Sequence, residues 1–167
     1  MMVGTEMGIS SQRQLEEKQF VEEVGIFFEH TGMPRMTGRI LGWLMISDPP
    51  HQTTDELTQA LQASKGSIST MTRLLIRVGL IERVSLPGQR RDYFRIKAGA
   101  WHQMLKDNMT QITTFRLITE RGLELIEGKA HFNRQWLEEM RDMNAFFERE
   151  FPVLLDRWEQ EYRKTRR

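Results

Sequence analysis

The stretch Thr53–Ile96, TTDELTQALQASKGSISTMTRLLIRVGLIERVSLPGQRRDYFRI, constrains the fold of this chain more than any other. A helix must satisfy its first backbone N–H groups, and this segment supplies the side chains to do so twice in quick succession. Thr53 or Thr54 can cap a helix over Asp55–Gln62, with Glu56 three residues beyond Thr53 completing a capping box. Ser64 is the next start signal, its hydroxyl able to accept from the amide of Gly66 or Ser67. The apolar positions Ile68, Met71, Leu75 and Val78 then recur at helical spacing until Gly79, a residue tolerant of positive φ, stops the run. Two or three residues separate the pair, so the second helix must turn sharply across the first.

On a helical wheel the apolar stripe of Ile68–Val78 lies opposite Gly66, Thr70, Arg73 and Arg77, with Ser67 and Ser69 flanking that outer face. Small groups at the front and arginines behind suit a helix pushed N-terminus first into a major groove, where bulk would hold the backbone away. Taken alone, the same face is also what a merely solvated helix presents. The next segment separates the two readings. Glu82–Leu86 and Asp92–Ile96 are rich in β-branched and aromatic residues, and Pro87-Gly88 is a turn dipeptide that pairs them. Arg90 and Arg91 then sit at the hairpin tip, within reach of phosphates or an adjacent minor groove.

Charge follows the motif. Lys65–Arg95 carries Lys65, Arg73, Arg77, Arg83, Arg90, Arg91 and Arg95 against Glu82 and Asp92, a balance of +5, while the whole chain stands at +1 and the remainder therefore at −4. Basic charge is concentrated where a phosphate-facing surface is required. Two helices, a tight turn and an arginine-tipped hairpin make a winged helix-turn-helix, and the fold expected is mainly α with a small β-hairpin.

These residues resemble the winged-helix module of MarR-type bacterial regulators, and most closely its GbsR-like branch. The likeness rests on LQASKGSIS at the turn, GLIERV at the start of the wing and PGQRRDYF at its tip and return strand. It extends over Phe20–Ile96, from FVEEVGIFFEHTGMPRMTGRILGWLMISDPP onward, and reaches the helical remainder by architecture. The resemblance implies a homodimeric transcription factor on a pseudo-palindromic operator of double-stranded DNA, with repression the expected sense and a small-molecule inducer of unidentified chemistry. Carried onto this chain, it implies recognition positions Ser64, Lys65, Gly66, Ser67, Ser69, Thr70 and Arg73, and wing positions Arg90 and Arg91. Arg77 joins them from the wheel.

Composition narrows the alternatives. With 167 residues, 39% hydrophobic and 28% charged, the chain can bury one compact core plus helical extensions. It has no cysteine, which excludes disulfides, thiol catalysis and thiolate metal sites and makes the cytoplasm the expected location. The leader MMVGTEMGISSQRQ is not a charged start followed by an apolar run, and no stretch approaches the roughly 20 apolar residues of a membrane span. His30, His51, His102 and His131 are scattered, and neither HExxH, GxxxxGK[ST] nor GxGxxG occurs, so no enzyme, metal site or cofactor is expected. Acid pairs such as Glu22-Glu23 and Glu138-Glu139 lie on amphipathic helices, where a solvated face explains them.

Helical extensions flank the motif. Residues 1–10 read as a flexible leader. A helix over Ser11–Thr31 carries Leu15, Phe20, Val21, Val24, Phe27 and Phe28 and ends at Gly32; Pro34 opens a second through Ser47, whose Met36, Ile40, Leu41, Trp43, Leu44 and Ile46 form the spine of the winged domain. Together these fill 11–97, leaving 98–167 as a long helical dimerisation region. Ala98–Glu127 reads as one helix with a break near Gly128. Beyond it Phe132, Trp136, Met140, Met143, Phe147, Phe151, Leu154 and Trp158 follow at spacings of four, four, three, four, four, three and four, a seam that wants a partner. Pro152 within that run predicts a kink or a restart.

Dimerisation suits the DNA geometry, because two reading helices held about 34 Å apart reach successive major grooves. Closed twofold pairing is also the commonest assembly. An effector lodged between the winged body and the dimer helices would shift the population of spacings between those helices. Among the four tryptophans, nine phenylalanines and eleven methionines, aromatic faces can attract a quaternary ammonium group of the kind the GbsR-like resemblance implies, but at helical spacing these residues read as core, and they assign no inducer residue. The competing function is a winged-helix module that binds only other proteins.

Overall fold

The computed structural model describes residues 3–128 and 134–165. Among them the elements follow in the order α1 (Val3–His30), α2 (Arg35–Ile46), β1 (Gln52–Thr53), α3 (Thr54–Leu61), α4 (Lys65–Arg77), β2 (Ile81–Ser85), β3 (Asp92–Ile96), α5 (Ala100–Leu125) and α6 (Arg134–Thr165). The protein is thus mainly helical with one small antiparallel sheet. Helix α1 starts at Val3, inside the stretch expected as a leader. Two compact units result, Met1–Met104 and Leu105–Arg167.

The first unit is built around α2. Ile40, Leu41 and Leu44 are buried there together with Leu57 and Leu61 of α3, Ile68 and Leu75 of α4, and Ile81 and Phe94 of the sheet. Met36 and Trp43 lean on this core, whereas Ile46, the last residue of α2 and expected in the spine, is exposed. From α1, Val21 and Phe28 join the core, and Leu15 and Phe27 stay outside it. The crossing of α1 and α2 brings backbone against backbone: a Cβ added at Gly38 would lie 2.5 Å from the Val24 carbonyl oxygen and 2.8 Å from the Gly25 Cα. Arg39 ties three helices, its guanidinium 2.7 Å from Glu22 Oε1 of α1 and donating to the Leu61 carbonyl at 3.0 Å.

Local chemistry sets the boundaries of the reading helices. Thr53 Oγ1 accepts from the Glu56 amide at 3.2 Å while Glu56 Oε2 accepts from the Thr53 amide at 2.6 Å, the complete capping box. Ser64 Oγ accepts from the Ser67 amide at 3.2 Å and caps α4. Gly79, at φ +77°, ends it. Two details differ from the expected stripe. Val78, the C-cap of α4, is exposed, because the helix has run out before the stripe comes round again. Thr72 is fully buried instead, which is tolerable because its hydroxyl donates to the Ile68 carbonyl at 2.8 Å.

The expected hairpin is a three-stranded sheet in the order β1-β3-β2. β2 pairs β3 with Arg83 opposite Phe94, and β1 adds Gln52 opposite Phe94 and Thr53 opposite Tyr93. Gln52 is buried with its amide satisfied, donating to the Pro49 carbonyl and accepting from the Trp43 indole. Gly88 turns the wing at φ +76°.

In the second unit α5 and α6 run antiparallel, since Gly122 faces Leu137, Arg116 meets Glu148 and Lys106 meets Glu159. Polar groups join them: Arg116 Nε donates to Glu148 Oε2 at 2.6 Å and Thr113 Oγ1 to Glu148 Oε1 at 3.0 Å. These groups are half-buried; Asn144 is buried and donates to the Met140 carbonyl. Of the kink or restart expected at Pro152, the restart does not occur, for α6 continues through that residue. A proline removes one backbone donor, and the long helical runs on either side carry the element across that single gap.

Candidate nucleic-acid interface

All ten residues expected to meet DNA lie in the first unit. Ser64, Lys65, Gly66, Ser69, Thr70, Arg73 and Arg77 are exposed on α4 or its cap, and Arg90 and Arg91 are exposed in the loop between β2 and β3; Ser67 is half-buried under the cap hydrogen bond. The amphipathic packing of α4 causes this division. Ile68, Thr72 and Leu75 face the core, which turns Thr70, Arg73 and Arg77 to solvent. Gly66 is not required by the protein's own packing: the nearest atom to an added Cβ would be Ser64 Oγ, 4.0 Å away.

The basic side chains divide into two groups. Cross-strand pairs hold Arg95 to Glu82 at 2.7 Å and Arg83 to Asp92 at 3.3 Å, which stiffens the wing. Lys65 reaches Asp55 of α3 at 2.7 Å. That hydrogen bond and charge hold the Asp55 carboxyl below the usual carboxylate range, and Arg91 adds its field from the wing. Arg73 donates Nε to the Ser69 carbonyl of its own helix and, like Arg77, Arg90 and Arg91, makes no ion pair with a carboxylate among the described residues, though Arg91 lies within the field of Asp55. The surface therefore offers unneutralised guanidinium donors beside hydroxyl groups, the chemistry that takes phosphate oxygens and base edges.

Between α4 and the sheet runs a groove of about 780 Å³ whose walls include Ser69, Arg73, Ile76, Arg83 and Lys97. Arg83 and Lys97 were not among the expected site residues, and neither was Asp55. Their signal in the sequence was weak. Arg83 follows the buried Ile81 by two residues and so shares its face of β2, but nothing local says that this strand lies beside α4. Among the described residues no group of three or more His, Cys, Asp or Glu could hold a metal ion. No helix among them is long and apolar enough to cross a membrane.

The expected dimerisation seam lies on α6. Trp136, Met143, Phe147, Leu154 and Trp158 are exposed and Met140 and Phe151 are half-buried, while Phe132 lies outside the described residues. Trp136 is 59% exposed and Leu154 56%, high values for such large apolar groups.

Comparison with known proteins bears on both units. Residues 31–92 match the MarR family and residues 99–161 the MmpR5-like MarR family transcriptional regulators. Over 142 residues the chain is 37% identical to the HTH-type transcriptional regulator MmpR5 of Mycobacterium tuberculosis, covering 85% of this chain and 86% of that protein. It is 30% identical over 81 residues to the HTH-type transcriptional repressor OpcR of Bacillus subtilis, 48% of this chain and 43% of that one. A crystal structure of a transcriptional regulator superposes with a TM-score of 0.73 at 36% identity, covering 87% of this chain and 99% of that one. These matches name the family at large and an MmpR5-like group within it; the GbsR-like placement stands only on the motifs of the turn and wing. The chain belongs to the MarR family of winged helix-turn-helix transcriptional regulators, DNA-binding proteins that are not enzymes.

Proposed function

We propose that the protein acts in the cytoplasm as a homodimer on a pseudo-palindromic operator, each protomer setting α4 into a major groove and Arg90 and Arg91 against the adjacent backbone or minor groove. The observation that carries this reading is the set of exposed arginines that make no ion pair among the described residues, Arg73, Arg77, Arg90 and Arg91, ranged along α4 and the wing loop. Repression follows from occupancy of a site where polymerase would bind. Release follows when an effector of still unassigned chemistry favours dimers whose reading helices are wrongly spaced.

Selection of bound duplexes from a random pool tests the reading, because it reports specificity, half-site spacing and symmetry together. The expected product is an inverted repeat with centres about 34 Å apart or a multiple of that. Enrichment of no sequence at all would defeat the proposal, as would binding that is insensitive to salt between about 50 and 200 mM. The residues divide by role. Arg73→Ala should cost about 1–3 kcal/mol on the operator and relax base preference, whereas Arg91→Ala should weaken every duplex alike and flatten the salt slope by about one. Identical behaviour of the two variants on all sequences would refute that division.

A further inference from the structure

Among the cations of the α4 and wing surface, Lys65 is the one whose partner comes from outside both elements. Its ammonium sits 2.7 Å from Asp55 Oδ1, and both side chains are well exposed, at 71% and 59%. The carboxylates on Arg83 and Arg95 have an evident structural task, since Asp92 and Glu82 bridge β2 to β3. Asp55 bridges no strands; its place in the first turn of α3 gives it only the favourable field of that helix end. The N-terminus of α3 is already closed by Thr53 and Glu56, so the cap does not need it. An exposed ion pair of this kind contributes little to folding in water. Helix α4, meanwhile, has no acid in its own first turn, and its positive end is left for an anion to approach. Asp55 is the anion the structure sets against the Lys65 ammonium, and Arg91 of the wing lies close enough to add to the field around it.

We propose that Asp55 is a built-in competitor for the DNA backbone: its carboxylate occupies the Lys65 ammonium at the front of α4, so a phosphate must displace it, and duplex affinity is held down irrespective of sequence. The inference rests on the operator-binding reading above. A phosphate contact made by Lys65 releases a condensed counterion, but only after the lysine has left Asp55. The carboxylate then remains beside the polyanion and repels it. Both terms act on any duplex, because neither involves a base. The consequence is a regulator that leaves non-operator DNA readily and whose affinity responds to salt less steeply than its count of basic residues would give.

The test uses the full-length protein with two duplexes, one selected as operator and one scrambled, titrated from about 50 to 200 mM salt. Asp55→Asn keeps the shape and removes the charge. It should tighten binding to both duplexes by roughly three- to tenfold and steepen the salt slope by about one, as one further phosphate contact requires. In a Lys65→Ala background most of that gain should vanish, leaving only the part due to direct repulsion. If Asp55→Asn instead weakens binding, the carboxylate positions Lys65 for DNA and the proposal is overturned. Unchanged affinity and slope, or a gain undiminished by Lys65→Ala, overturns it equally. Wild-type binding separates this failure from that of the underlying reading: a wild-type protein that holds the operator in a salt-dependent way while Asp55→Asn does nothing refutes only the competitor role, and one that binds neither duplex refutes both.

Discussion

Gly66 sets the protein's own stability against its proposed contact with DNA. A glycine in a helix interior costs about 0.5–1 kcal/mol relative to alanine, and at Gly66, near the start of α4, neither packing nor a left-handed φ demands one, since the space for a methyl is open. Gly66→Ala should therefore raise the urea midpoint by an amount worth about 0.4–1 kcal/mol. If the front of α4 approaches a duplex as proposed, the same change should loosen operator binding, because the added methyl stands between backbone and DNA. Stability and affinity moving in the same direction would argue that Gly66 does not face DNA. At this scale the sequence was largely legible. Thr53, Glu56, Ser64 and Gly79 act within three or four residues of themselves, and their hydrogen bonds form as their spacing predicts. Thr72 was not legible, since a threonine looks polar until its hydroxyl is returned to the helix that carries it.

The elements that escaped the sequence are those whose partners are distant along the chain. Strand β1 is two residues long and exists only because β3, some forty positions later, supplies its hydrogen bonds. The polar link between α5 and α6 is of the same kind, for Arg116 and Glu148 stand 32 residues apart. That link makes a pH prediction. Hydrogen bonds from Arg116 and then Thr113 hold the Glu148 carboxyl below its ordinary range in the folded protein. Its contribution to stability is thus fully present above the unfolded value of about 4.3 and is lost as pH falls through the lower folded value. Between pH 7 and pH 3 the wild-type urea midpoint should fall more steeply than that of Glu148→Gln, which has no such proton to gain. Parallel curves for the two proteins would show that the pair does not couple the helices.

On the scale of the whole molecule, the α6 seam shows what periodicity can establish and where it stops. Spacings of three and four placed large apolar groups along one helix, and Trp136, Met143, Leu154 and Trp158 remain exposed in the single chain. A second copy is the proposed cover. Trp136→Glu combined with Leu154→Glu should halve the mass seen by light scattering and cost about 100-fold or more in operator affinity, because two linked half-sites become two separate ones. Truncation before Phe132 should likewise abolish the dimer, and a truncated protein that stays dimeric would move the interface elsewhere. Wing and reading helices share a residue. Thr53 is at once the last residue of β1, paired with Tyr93 of the wing, and the cap of α3, whose far end leads through three residues into α4. One threonine is the common joint of wing and reading helices, so in the proposed complex a signal that displaces either is expected to displace both.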